Sequence, residues 1–184
     1  RWINFLAERA KGGAGAVITE IIAVDPAALC QASTVTGYEA ENEDGFKRTA
    51  EAIEGEGACL IAQLWHPGRQ QLWSPVASPK GISDQPDAYS WTVPHVMSTA
   101  ELRQVAEEYV AVAKRFKRCG FGGVELHGAH GYLITQILSP WSNRRTDDYG
   151  GSLENRIRFV REVAQAVRQT CGGDFVIGLK MPGD

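Results

Sequence analysis

A chain of 184 residues that is 43% hydrophobic and 22% charged can bury a sizeable core, which excludes the disordered and fibrous classes. Its formal net charge of -3 gives no basic field for a phosphate backbone, so nucleic acid is not an expected partner, and no apolar run approaches the roughly 20 residues of a membrane helix. Arg1 is followed by an amphipathic stretch instead of an apolar leader, and Cys30, Cys59, Cys119 and Cys171 stand singly without metal-ligand spacing, so reduced, mostly buried thiols and a cytoplasmic location are expected.

The chain opens in a helical stripe of Trp2, Leu6 and Ala10, without an initiator Met, and closes just after a strand. We therefore expect a fragment truncated at both ends. After Gly12-Gly13 the β-branched run Ala16 to Val24 reads as a strand buried on both faces. A helix is predicted over Glu43 to Glu56, with Phe46, Ala50 and Ile53 on one side and Gly57 as its stop. The run Cys59 to His66 is a second strand. The connection from Pro67 to Met97, with Pro75, Pro79, Pro86 and Pro94 and the aromatic Trp73, Tyr89 and Trp91, is too long for a plain link and is expected to shape a site. Ser98 and Glu101 form a capping-box pattern, and the stripe Leu102, Val105, Ala106, Tyr109, Val110, Ala113, Phe116 predicts a helix closing at Cys119-Gly120. A third strand, Gly123 to Gly128, follows at once. The stretch Ala129 to Gly151 reads as irregular. Ser152 then caps a helix carrying Leu153, Ile157, Val160, Ala164 and Val167, and Phe175 to Met181 is a fourth strand.

Strict alternation of apolar strands with amphipathic helices implies an α/β fold with parallel strands. Doubly wound sheets and barrels both satisfy it. No GxGxxG turn supports a dinucleotide-binding sheet, whereas Glu20, Gln63, His66, His127, His130 and Lys180 all fall at or after the C-terminal parts of strands, where a barrel builds its active site. The prediction is a partial TIM (β/α)8 barrel of about four βα units over residues 1–184.

The stretch His127 to Leu133, HGAHGYL, carries the most chemistry. Two imidazoles three residues apart beside glycines can converge on one ligand oxygen as paired donors. They can also open a metal site, as in metal-dependent hydrolase barrels, for which Glu125 is the only acidic neighbour on the same strand face. Tyr132 is either a general acid or a core tyrosine. Gln63 offers an amide that both donates and accepts, and Lys180 a positive charge, toward the same mouth. The charged stretch Ser139 to Phe159 reads as structural, with Arg145, Asp147 and Arg156 bonding one another or loop carbonyls.

QLWHPGR, VELHGAHGYLITQILSPWSNRRTDDYGGSLENRIRF and the closing FVIGLKMPGD resemble segments of old yellow enzyme-type NADH:flavin oxidoreductases, including ene-reductases and the barrel domain of 2,4-dienoyl-CoA reductases. The resemblance spans essentially the whole chain. It implies an FMN enzyme that reduces activated C=C bonds in small molecules with NADH or NADPH, that is NAD(P)H. It further implies that His127 and His130 hold the activating oxygen and Tyr132 protonates the α-carbon. By the same resemblance Gln63 faces the flavin's pyrimidine edge, the backbone around Ile21 lines the ring, and Lys180 stands where many members have Arg. His130, where some relatives have Asn, points to the His-His subgroup. The resemblance also implies that the family's first strand lies before Arg1, with the phosphate-binding strands after Asp184. An iron-sulfur cluster and FAD in a further C-terminal domain, a homo-oligomer and the identity of the substrate are left open.

Overall fold

The computed structural model describes residues 1–72 and 78–183, so Trp73, Pro75 and Asp184 of the sequence reading lie outside the described residues. The elements are α1 (Trp2–Lys11), β1 (Ala16–Ala23), β2 (Val35–Thr36), α2 (Glu43–Glu54), β3 (Cys59–Trp65), β4 (Lys80–Gly81), β5 (His95–Val96), α3 (Thr99–Arg118), β6 (Gly123–His127), α4 (Leu133–Leu138), α5 (Leu153–Cys171) and β7 (Val176–Lys180). The predicted elements form close to their predicted bounds. Strands end one residue before the apolar runs do at Val24, His66 and Gly128, although Val24 N–H still donates to Trp65 O and Gly128 N–H to Lys180 O. α4 was not foreseen: a six-residue helix is too short to display a stripe.

The main sheet is parallel in the order β2-β1-β3-β6-β7. Its long strands are neighbours in chain order. Right-handed crossovers that always step the same way put every helix on one face, which is the winding of a barrel and not of a doubly wound sheet. The packing agrees with that. Ile22, Leu60, Ala62, Leu64, Val124 and Leu126 face a helical layer in which Phe46, Tyr109, Phe116, Phe159 and Val163 are buried. Phe116 stands at the centre of the aromatic cluster, 4.7 Å from Phe46 and 4.6 Å from Phe121 between ring centroids. Among the described residues no helix packs on the opposite face, and Ile18 and Val176 on it are each 45% exposed.

α3 starts as its sequence dictates. Glu101 N–H donates to Ser98 Oγ at 3.2 Å, and Ser98 N–H donates to the Glu101 carboxylate at 2.7 Å, which satisfies two helix-start amides. Between β3 and α3, the long connection forms a two-residue parallel ladder, β4 with β5, stapled from outside by Arg145. That guanidinium donates to Met97 O at 2.6 Å and to Ile82 O at 3.4 Å, and it grips the Asp147 carboxylate through two nitrogens. Asp147 also accepts from Thr99 Oγ1 at 2.8 Å. Arg156 donates to Leu138 O and Gly151 O. The charged stretch is thus a clamp on loop carbonyls.

Candidate active site

Register across the sheet decides which side chains meet. Ile21 pairs with Gln63, Gln63 with Glu125, and Glu125 with Gly178, while His127 pairs with Lys180 two residues further up. Period-two alternation therefore sets Ile21, Gln63, Glu125, His127 and Lys180 on the helix-free face, toward the C-terminal ends of the strands. A bulge between Ile18 and Ile21 lets β1 keep this alignment; Glu20, at the bulge, is exposed and does not join the group.

His127 is 2% exposed and His130 stands outside it on a turn. Ala129 N–H donates to His127 Nδ1 at 3.3 Å, which leaves the proton of the neutral ring on Nε2. Nε2–H in turn faces His130 Nδ1 at 3.3 Å, with the rings edge to face and 5.0 Å apart. The two imidazoles converge, bonded to each other. An incoming ligand oxygen must displace that bond to take the Nε2–H donor. Burial, then His130, then Lys180 lower the His127 pKa to about 4, so the ring is a neutral donor at physiological pH. His130 has φ 61° and Gly131 φ 77°, two consecutive left-handed residues; for a histidine that conformation costs about 1–3 kcal/mol and recurs at functional sites. Gly128 lets β6 and β7 approach here, since a Cβ on it would come within 2.8 Å of Lys180 O.

Tyr132 is the N-cap of α4, and its ring centroid lies 5.1 Å from His127 and 6.2 Å from His130. Burial, with Cys30 nearby, raises its phenol pKa, so it stays protonated. Trp65, 1% exposed, stands edge-on to it at 5.2 Å. The sequence reading passed over Trp65, although its spacing of two from Gln63 puts it on the same face. Gln63 Nε2 donates to Glu125 Oε1 at 2.6 Å, an acidic partner visible in the sequence only once strand register is known. His66 does not join the trough: it turns to the other face and is buried against Asp25. Among the described residues no three His, Cys, Asp or Glu side chains assemble into a metal-binding group. All four cysteines are free, Cys119 and Cys171 buried and Cys30 and Cys59 half-buried.

The residues present fit one edge of a flavin. An amide whose oxygen is left to accept, a cation and an apolar strand segment share one face at the strand ends, which is the donor set that a ring with paired carbonyl and N–H groups and a reducible, charge-accumulating edge requires. A cleft of about 940 Å³ lined by Trp2, Leu29, Thr34, Phe46 and Thr49 lies elsewhere, beside α1 and α2, and contains none of these groups. Among the described residues no helix is long and apolar enough to cross a membrane.

Comparison with known proteins gives the chain its family. The NADH:flavin oxidoreductase / NADH oxidase family profile matches residues 1–182. An NADH oxidase of Thermoanaerobacter brockii is 36% identical over 100% of this chain and 29% of its own length. 12-Oxophytodienoate reductase 7 of Oryza sativa subsp. japonica is 35% identical over 94% of this chain and 48% of its own length. The solved structure of morphinone reductase in complex with tetrahydroNAD superposes with a TM-score of 0.89 at 30% identity, over 98% of this chain and 54% of that one. The chain thus spans about half or less of the length of these relatives, and the parallel sheet is part of a TIM-type barrel. On the match over nearly its whole length, the chain belongs to the NADH:flavin oxidoreductase / NADH oxidase family, the old yellow enzyme family.

Proposed function

We propose that this chain carries the substrate-activating part of an FMN-dependent oxidoreductase that reduces activated C=C bonds with NAD(P)H. The observation that carries the reading is the convergence of His127, His130 and Tyr132 at the strand ends, level with Lys180. Gln63, Lys180 and the backbone at Ile21 would hold the flavin. Reduced FMN, when bound, supplies the hydride that goes to the β-carbon of the substrate.

The chain's own residues prepare the acceptor. The neutral His127 Nε2–H donates to the carbonyl or other activating oxygen, and His130 provides a second donor, so negative charge growing on that oxygen is stabilised. Tyr132 keeps its phenolic proton and releases it to the α-carbon as carbanion character develops. Lys180 adds positive charge on the same face, where the reduced ring accumulates negative charge. Aromatic and apolar walls at Trp65 exclude water from the reacting atoms. Free, singly placed cysteines support a reducing, cytoplasmic setting, with small-molecule enones as the partners.

The test is NAD(P)H consumption by the FMN-loaded protein with an α,β-unsaturated ketone against its saturated analogue. Turnover with the first alone is expected. Equal rates with both, or no FMN uptake, would sink the proposal.

A further inference from the structure

Behind the trough lies a buried polar chain that the reaction itself does not use. The His66 side chain is fully buried. Its Nδ1 accepts from Gly68 N–H at 2.9 Å, so the neutral ring carries its proton on Nε2, which faces Asp25 Oδ1 at 3.7 Å. Neither of those two atoms has a closer partner among the described residues. Asp25, 2% exposed, meets Lys80 of β4 through its other oxygen at 3.4 Å and has the Glu108 carboxylate of α3 as a neighbour. Two neighbouring carboxylates resist ionising together. Burial and the neighbouring Asp25 push Glu108 up to about 7, whereas Asp25, which burial alone would raise, is held low by His66, Glu108 and Lys80. Burial, against the pull of Asp25, keeps His66 neutral, with its pKa at about 4. Gln104 and the buried Tyr109 hydroxyl complete the groups facing the pair from α3. The chain thus joins the ends of β1 and β3, the start of β4 and the middle of α3.

The His66 backbone leads back to the site. His66 O accepts from Leu133 N–H at 3.1 Å, and Leu133 is the first residue of α4, whose N-cap is Tyr132. The Gln136 amide then binds Pro67 O at 3.0 Å, Gly131 O at 2.7 Å and Arg69 N–H at 3.2 Å, so residues 66–69 and 131–136 are bonded as one unit. From that unit the buried His66 ring reaches toward Asp25 at the end of β1. We propose that His66 is a positioning residue for Tyr132: its ring, held between Gly68 and the Asp25–Glu108 carboxylates, sets the height of the His66 carbonyl and hence of the α4 turn on which Tyr132 stands. The inference rests on the assignment of Tyr132 as proton donor.

The experiment uses the FMN-loaded protein and separates the two half-reactions. His66→Leu is expected to slow oxidation of the reduced protein by an enone about 10-fold, with its KM and the flavin-reduction step by NAD(P)H changed less than about twofold. His66→Gln, whose amide can accept from Gly68 and donate toward Asp25, is expected to restore most of the rate. In a Tyr132→Phe background His66→Leu should add almost nothing. The same loss in that background, or an equal loss in both half-reactions, overturns the proposal. A second readout is independent of turnover. In protein labelled with 3-fluorotyrosine, the fluorine resonance of residue 132 should shift in His66→Leu and return in His66→Gln; an unmoved resonance overturns the link. If Tyr132→Phe leaves the enone step unchanged while that resonance still responds to His66, the proton-donor assignment fails and the positioning contact stands. Should His66→Leu not fold, Asp25→Asn, which keeps the shape and removes the charge, is read in the same way.

Discussion

Burial acts at single residues here by fixing protonation. His66 and His127 both have pKa values lowered to about 4, whereas the unfolded chain takes up protons at about 6.5. At these two sites the unfolded state therefore binds more protons between those values, so the stability they contribute is full above about pH 6.5 and is lost as pH falls toward 4, a loss from two rings that the single Glu108, raised to about 7, offsets only in part. Urea midpoints at pH 7.5 and pH 5 test this; a midpoint that holds or rises at pH 5 contradicts it. Tyr132→Phe keeps the ring packing against His127 and Trp65 and removes only the proton, so the enone step should fall about 100-fold with little change in melting temperature. A large loss of stability would instead mark Tyr132 as a packing residue. The residues of this site were legible as types and spacings. Their mutual hydrogen bond was not, because it depends on the left-handed backbone at His130.

Among the elements, α3 shows how far local chemistry reaches. Its start depends on Ser98 and Glu101, and Ser98→Ala should cost about 1 kcal/mol in denaturant unfolding. Backbone and side-chain bonds to Ser98 and His95 hold Glu101 at about 2, below its ordinary 4.5. That contribution is present above about pH 4.5 and disappears as pH falls toward 2, so the cost of Ser98→Ala should shrink at pH 3; an equal cost at pH 3 and pH 7 would count against the reciprocal cap. Long helices and buried strands announce themselves because periodicity accumulates over many residues. α4 and the two-residue strands β2, β4 and β5 do not, since their hydrogen bonds come from distant segments, as in the ladder of Lys80 with His95.

For the molecule as a whole, the ladder of β4 with β5 between β3 and α3 is held by side chains from far along the sequence. The Arg145 side chain is 8% exposed and joins Met97 O, Ile82 O and Asp147. Arg145→Leu leaves those carbonyls unpaired and should cost about 2 kcal/mol. Its sharper signature is local: amide exchange should quicken across residues 80–97 and KM for the enone should rise, while the rate of flavin reduction holds. Uniformly faster exchange throughout the sheet would assign Arg145 to global stability instead.

Fold class, element order and the candidate site side chains follow from the order of residues, because amphipathic period, capping pattern and the run HGAHGYL are local properties. Three things are tertiary. The strand order that a barrel requires, expected from the polar groups at the strand ends and the family resemblance but left undetermined by periodicity, exists only in the assembled sheet. Register across four strands put Ile21, Gln63, His127 and Lys180 on one face and bonded Gln63 to Glu125. The turning of His66 away from the trough, toward Asp25 and Glu108, depended on which strand face the helices cover, a fact no stretch of sequence contains.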